Sequence, residues 1–250
     1  MSGVSRLQYP TFIRVIRVMC SGRVDPKFVF YAFQKGIEGV MIVGCRLNEC
    51  KYITHGNYHA LNMVLLSKRI MEYIGLNPER LMIEFMNSSE GQRFAETVTK
   101  FTSTILELGP VGKGKGERPD GLKERIGEVL RLLPYIKLQM REKLSARLED
   151  PALWDGHFTL EEVRELFEKV PSYWIDPEEC RACMACLRRC PVGAIDGGKK
   201  LVHIVKQDLC IKCGTCMEAC RFGAVKKLVD QPVPPPIPED RRQVKKEEAA

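Results

Sequence analysis

Cys180-Arg-Ala-Cys183-Met-Ala-Cys186-Leu-Arg-Arg-Cys190-Pro191 and, 30 residues further on, Cys210-Ile-Lys-Cys213-Gly-Thr-Cys216-Met-Glu-Ala-Cys220-Arg221 decide how the last third of this chain folds. In each stretch three cysteines stand at two-residue gaps and a fourth follows after three. Val192-Gly-Ala-Ile195 follows the first run and Phe222-Gly-Ala-Val225 the second, so the repeat extends past the cysteines. Three thiolates at such gaps curl around one face of a four-iron cube, each reaching a different iron, while the fourth lies too far along and reaches the other cluster. The spacing therefore predicts two [4Fe-4S] clusters, one on Cys180, Cys183, Cys186 and Cys220, the other on Cys210, Cys213, Cys216 and Cys190. Gly197-Gly198 opens the hairpin between the halves, with Leu201–Val205 as its strand. Structural zinc is the plainer alternative. It takes four tetrahedral ligands in two separated pairs and has no use for triplets repeated in register.

Composition agrees with a redox role in a reducing compartment. Of 11 cysteines in 250 residues, eight fall in these two runs, and clustering of this kind in a chain without an export signal points to metal rather than disulfides. The opening residues lack a charged-then-apolar leader, and no stretch approaches the roughly 18 apolar residues of a membrane helix. A cytoplasmic protein with no membrane insertion is expected. The formal charge of +7 counts thiols as neutral. Two oxidised clusters at about −2 each would leave roughly +3, too little to argue for nucleic acid. Arg188 and Arg189 before Cys190, and Arg221 after Cys220, would either raise a cluster potential or dock an acidic partner; docking is the favoured reading.

Outward from the repeat, the chain divides into four segments. Residues 1–112 alternate strand and helix: Ile13–Met19 as a first strand, a helix from Asp25-Pro26 to Gly36, a short buried strand over 39–44, a helix over 58–74 ended by Gly75, a strand over 81–86, and a helix over 94–108 capped by Ser88 or Ser89. Strand-helix-strand units force parallel pairing, so this is a small parallel-sheet α/β domain. Residues 113–175 read as a helical linker. Gly112-Lys-Gly-Lys-Gly116 is its hinge, Leu122–Leu133 and Tyr135–Leu148 form a hairpin broken at Pro134, and Thr159-Leu-Glu-Glu162 is a capping box. Residues 176–229 form the cluster-bearing α+β domain. Residues 230–250, Pro-rich and then charged, are expected to be extended or disordered with nothing to bury.

Three cysteines lie outside the repeat. Cys20 follows the first expected strand, Cys45 closes the second, and Cys50 comes five residues later in a loop. Adjacent parallel strands would bring them to the carboxyl edge of the sheet, where open α/β folds bind ligands. The three read as a third metal centre or as ordinary buried strand-end cysteines. No site for bond chemistry is evident: there is no Gly-rich phosphate loop, no nucleophile elbow, no paired carboxylates, and the four histidines are scattered. Catalytic residues are thus expected to be none. The rival reading, a self-contained iron–sulfur flavoprotein reductase, meets a first turn, Cys20-Ser-Gly-Arg-Val-Asp-Pro26, that lacks the Gly-x-Gly-x-x-Gly fingerprint.

Residues 176 to about 226 resemble two-cluster bacterial-type ferredoxin domains. The N-terminal part resembles the delta (iron–sulfur) subunit of methyl-viologen-reducing hydrogenase, on Val4-Ser-Arg-Leu-Gln-Tyr-Pro10, Val15-Ile-Arg-Val-Met-Cys-Ser-Gly-Arg-Val-Asp-Pro26, Gly44-Cys-x4-Cys-x-Tyr52, Gly56-Asn-Tyr58 and Ser89-Glu-Gly-Gln-Arg-Phe94. The resemblance implies a [2Fe-2S] cluster at Cys20, Cys45 and Cys50. It also implies electron relay between a hydrogenase or formate dehydrogenase and a heterodisulfide-reductase-A-like flavoprotein. The family pattern begins with a further strand and a Cys-x2-Cys segment, whereas this sequence starts almost at Gly3. Three thiols then remain where a two-iron cluster wants four ligands, leaving His55, His59, a partner chain or an upstream coding segment to supply the rest.

Overall fold

A computed structural model describes residues 7–52, 56–238 and 242–243. Val4 to Arg6, His55 and most of the charged tail lie outside the described residues. The chain forms two compact units, Met1–Glu165 and Leu166–Ala250.

In the first unit, α1 (Pro26–Gln34) starts where the sequence says: Pro26 sits at the first helical position and the Asp25 carboxylate accepts from the Lys27 amide at 2.9 Å. Strand β1 (Val40–Gly44) leads through the cysteine-bearing loop to α2 (Asn57–Ile74), which ends on Gly75 in the left-handed conformation. Strand β2 (Leu81–Phe85) then pairs parallel to β1, from Val40 beside Leu81 to Gly44 beside Phe85. Helix α3 (Gly91–Leu108) follows. Helix α2 is the unit's core, with Leu61, Met63, Val64, Leu66, Ile70 and Met71 all sealed from solvent. The parallel α/β layer expected from the alternation is present.

Four local expectations fail, each for a physical reason. Ile13–Met19 is not a strand: Val15, Ile16 and Met19 are 71, 83 and 92% exposed, and among the described residues β1 and β2 pair only with one another. Alternation confers strand propensity, but a strand exists only with a ladder partner. Neither Ser88 nor Ser89 caps α3. Glu90 holds the cap position, while the Ser89 amide and hydroxyl both donate to Asn87 Oδ1, at 3.0 and 2.6 Å. Pro134 does not break the helix either: α4 runs through it from Leu122 to Gln139, because Ile126, Val129, Leu132, Leu133 and Ile136 bury on one side and offset the lost hydrogen bond. The turn comes at Met140, before α5 (Arg141–Leu144).

The glycine hinge is the fourth. Gly112 and Gly114 donate their amides to Glu117 Oε2 at 2.8 and 2.9 Å, and Glu117 is itself paired with buried Arg80. A chain pinned by a buried carboxylate does not flex. The segment expected to be a linker accordingly packs within the first unit: α4 lies against α1 and α2, and Arg125 Nε donates to Ile74 O at 2.7 Å. Short helices α6 (Trp154–His157) and α7 (Leu160–Glu168) follow. The capping box of α7 is reciprocal, Thr159 N to Glu162 Oε2 at 2.9 Å and Glu162 N to Thr159 Oγ1 at 3.2 Å.

The second unit is built on the 30-residue repeat. Strand β3 (Ser172–Ile175), helix α8 (Ala185–Arg189) and β4 (Ile195–Gly198) make one half; β5 (Leu201–Val205), α9 (Thr215–Ala219) and β6 (Val225–Leu228) make the other. The strands pair across the halves, β3 with β6 and β4 with β5, both antiparallel. Residues 231–238 have no regular structure. Contrary to expectation, the tail does bury one side chain. Arg242 is 5% exposed, its Nε donates to Val202 O at 3.2 Å and its Nη1 to Asp196 Oδ2 at 3.0 Å. Among the described residues no helix is long and apolar enough to cross a membrane.

Candidate metal centres

All but one of the eight cysteines of the repeat are buried or half-buried in the second unit. Cys180, Cys186 and Cys216 belong to its apolar core with Tyr173, Ile175, Ile195, Val202 and Val225. Cys190, Cys210, Cys213 and Cys220 are half-buried, and Cys183 is exposed. The gaps between cysteines in each half turn through the left-handed region: Ala182 (φ 51°) and Met184 (φ 67°) in the first, Lys212 (φ 59°) and Gly214 (φ 81°) in the second. Three of these four are not glycine, and such strain persists only where the surroundings impose it, commonly at functional sites. The turns curl each Cys-x2-Cys-x2-Cys run inward.

The fourth cysteine of each run sits with the other run's triplet. Cys190, Cys210, Cys213 and Cys216 line one small pocket, partly open to solvent, with Tyr173, Ile195 and Val205 among its walls. In the other set, burial pushes the Cys186 thiol up to about 11, and Cys180, Cys183 and Cys220 add to the shift. Cys216 is pushed up to about 12, by burial first and then by Cys210 and Cys213. Thiols crowded in this way resist deprotonating together unless positive charge is placed among them, which is what iron supplies. A triplet joined by a thiol from the other run suits thiolates that each bond a different iron. The residues present fit four-iron clusters.

His203, in β5, was not singled out by spacing. It is 1% exposed, with Nδ1 3.7 Å from Cys180 Sγ and Nε2 3.4 Å from Met184 Sδ. Burial, reinforced by Arg242, holds its imidazole below the ordinary value, with Asp196 opposing.

In the first unit Cys20 and Cys50 both neighbour Cys45, though among the described residues no three such side chains are gathered closely enough to hold a single metal ion. Cys20 precedes a short 3-10 turn, Ser21–Arg23, packed on the end of β1, where Ser21 Oγ lies 2.7 Å from the point a Cβ on Gly44 would occupy. Gly56 is cleared for Cys50, whose Sγ stands 2.3 Å from the corresponding point. Burial raises the Cys45 thiol, and its neighbours Cys50 and Cys20 raise it further. Arg46 fixes the chain just after Cys45, donating to Glu90 from Nε at 3.0 Å and Nη2 at 2.7 Å. Arg46, then the Asn87 amide, holds the Glu90 carboxyl down to about 2. His59 is engaged elsewhere, its Nδ1 3.0 Å from Leu144 O. His55 lies outside the described residues. Arg188, Arg189 and Arg221 are all exposed.

Residues 1–109 match the family model described as methyl-viologen-reducing hydrogenase, delta subunit, and residues 172–221 that of a 4Fe-4S dicluster domain. The latter segment therefore carries two [4Fe-4S] clusters. The iron–sulfur D-subunit of F420-non-reducing hydrogenase from Archaeoglobus profundus is 44% identical over 110 residues, 44% of this chain and 80% of that protein. The A-subunit of a ferredoxin:CoB-CoM heterodisulfide reductase from Methanosarcina mazei is 46% identical over 112 residues, 45% of this chain but 14% of that protein. The match to the Methanococcus maripaludis F420-non-reducing hydrogenase iron–sulfur D-subunit is 39% over 110 residues, 44% of this chain and 81% of that protein.

Proposed function

Because this chain belongs to the methyl-viologen-reducing hydrogenase delta subunit family, we propose that it is the iron–sulfur electron-transfer component of a multi-subunit oxidoreductase. It stands between a hydrogenase or formate dehydrogenase on one side and a heterodisulfide-reductase-A-like flavoprotein on the other. The relatives that support this reading are hydrogenase components on one hand and a heterodisulfide reductase component on the other. The observation that carries it is the interleaving of two thiol sets in the second unit, with Cys190 beside Cys210, Cys213 and Cys216.

Cys180, Cys183, Cys186 and Cys220 hold the first [4Fe-4S] cluster, and Cys210, Cys213, Cys216 and Cys190 the second. When bound, such clusters supply one-electron oxidation and reduction at a potential set by burial, charge and hydrogen bonds to sulfur. Tyr173, Ile175, Ile195 and Val202 exclude water from the thiols. Exposed Arg188, Arg189 and Arg221 present positive charge to an acidic partner face. In the first unit Cys20, Cys45 and Cys50 hold a [2Fe-2S] cluster, whose fourth ligand comes from outside these three thiols.

Anaerobic purification with identification of the co-purifying chains and iron counting tests the whole reading. About ten irons per chain support three centres and about eight support two. Colourless protein, or zinc in place of iron, overturns it.

A further inference from the structure

The two thiol sets are related by the 30-residue repeat, yet the side chains over them differ at two matched pairs of positions. Tyr173 in β3 corresponds to His203 in β5, and Met184 before α8 corresponds to Gly214 before α9. In the second half the absence of a side chain at Gly214 admits Tyr173, whose Oη lies 2.8 Å from the point a Cβ would occupy. In the first half Met184 takes that space and meets the His203 ring, Nε2 to Sδ at 3.4 Å. The other ring nitrogen, Nδ1, stands 3.7 Å from Cys180 Sγ. The ring is seated by Gly197, where a Cβ would come within 2.2 Å of Cδ2. Behind it lies the pair of buried Arg242 with Asp196.

Resting on the ligand sets proposed above, we propose that His203 is a positioning residue that makes the two clusters inequivalent, donating Nδ1–H to the Cys180 thiolate and raising the potential of that cluster alone. A thiolate bound to iron has no proton and can only accept, so the nitrogen facing it is the donor. Hydrogen bonds to an ionised acceptor are the strong ones, and the thiolate outcompetes the Met184 thioether for the ring's N–H. Reduction adds negative charge to the cluster and its sulfurs. A donor aimed at one of them therefore stabilises the reduced state more than the oxidised. At the matched position beside Cys210, Cys213 and Cys216 stands a phenol set against Gly214 in place of an imidazole.

The test is a potentiometric titration of the full chain, prepared anaerobically and followed by electron paramagnetic resonance. In His203→Phe one midpoint falls and the other stays, while His203→Asn, which keeps an N–H near Nδ1, lowers the same midpoint less. Native chain labelled with 15N-histidine shows a nitrogen coupling to a reduced [4Fe-4S] cluster that both variants lose. Two unmoved midpoints in a fully loaded His203→Phe protein overturn the inference. So does a native chain with both clusters but no 15N coupling, a readout that holds even if the variants load iron poorly. A native chain that has no [4Fe-4S] signal at all overturns the underlying ligand assignment instead, and is told apart at once.

Discussion

The Arg80 guanidinium and the Glu117 carboxylate meet at 2.5 Å, Nε to Oε1, with neither side chain reaching solvent. Both are fully partnered: Arg80 also donates to Glu38 O and Pro110 O, and Glu117 accepts from the Asn77, Gly112 and Gly114 amides. Removing one partner of a buried pair leaves the other charge stranded, at about 3–5 kcal/mol. Burial alone would raise the Glu117 carboxyl, but Arg80 and the amides outweigh it and hold it below the ordinary range. A depressed folded value contributes stability that is present above the unfolded pKa and is lost as pH falls through the folded one. Glu117→Gln is therefore expected to unfold at markedly lower urea near neutrality and to show a flatter loss of stability on acidification. Urea titrations followed by circular dichroism across the acid range check both; an unchanged midpoint contradicts the first.

At the first-unit cysteines, Gly56→Ala is a steric probe. Its Cβ would sit 2.3 Å from Cys50 Sγ and 2.4 Å from the Tyr52 carbonyl oxygen, and the backbone atom has little freedom to yield. Gly56→Ala and Cys45→Ser should each lower iron by about two atoms per chain while the four-iron signals persist. Iron content unchanged in both variants removes the two-iron centre from this site.

Exposed Arg188 and Arg189 are expected to act on association rather than on the clusters. Rim charges change on-rate and its salt dependence more than they change internal energetics. Arg188→Gln with Arg189→Gln should weaken the salt dependence of electron transfer to the flavoprotein partner, measured by stopped flow, and leave both midpoints in place. Moved midpoints would instead assign these arginines to potential tuning.

Thr159 and Glu162 satisfy each other's backbone amides at the start of α7, whose Val163 is buried. Thr159→Ala should cost about 1 kcal/mol and Thr159→Ser much less. Thermal unfolding of the three proteins gives the comparison directly.

What the sequence revealed and what it hid follow from the range of the forces involved. Asp25-Pro26, Gly75 and the Thr159–Glu162 box act within a few residues, so the helix ends they set were legible. The thiol repeat was legible because a cluster constrains spacing directly. Ile13–Met19 carries every local mark of a strand, but whether a ladder partner exists is a tertiary fact. Pro134 and Gly112–Gly116 looked like breaks because their local preferences are strong, and both were overridden from a distance, by the buried face of α4 and by Arg80, 37 residues from Glu117. His203 was invisible for the same reason. Its meaning depends on Cys180, Met184 and Gly197 being brought to it.

Each small sheet of the second unit draws one strand from either copy of the repeat, β3 with β6 and β4 with β5. A lone copy would thus have two unpaired edges and could complete itself only by embracing a twin. The two copies of the repeat therefore make one cooperative unit, and neither half closes its own sheets.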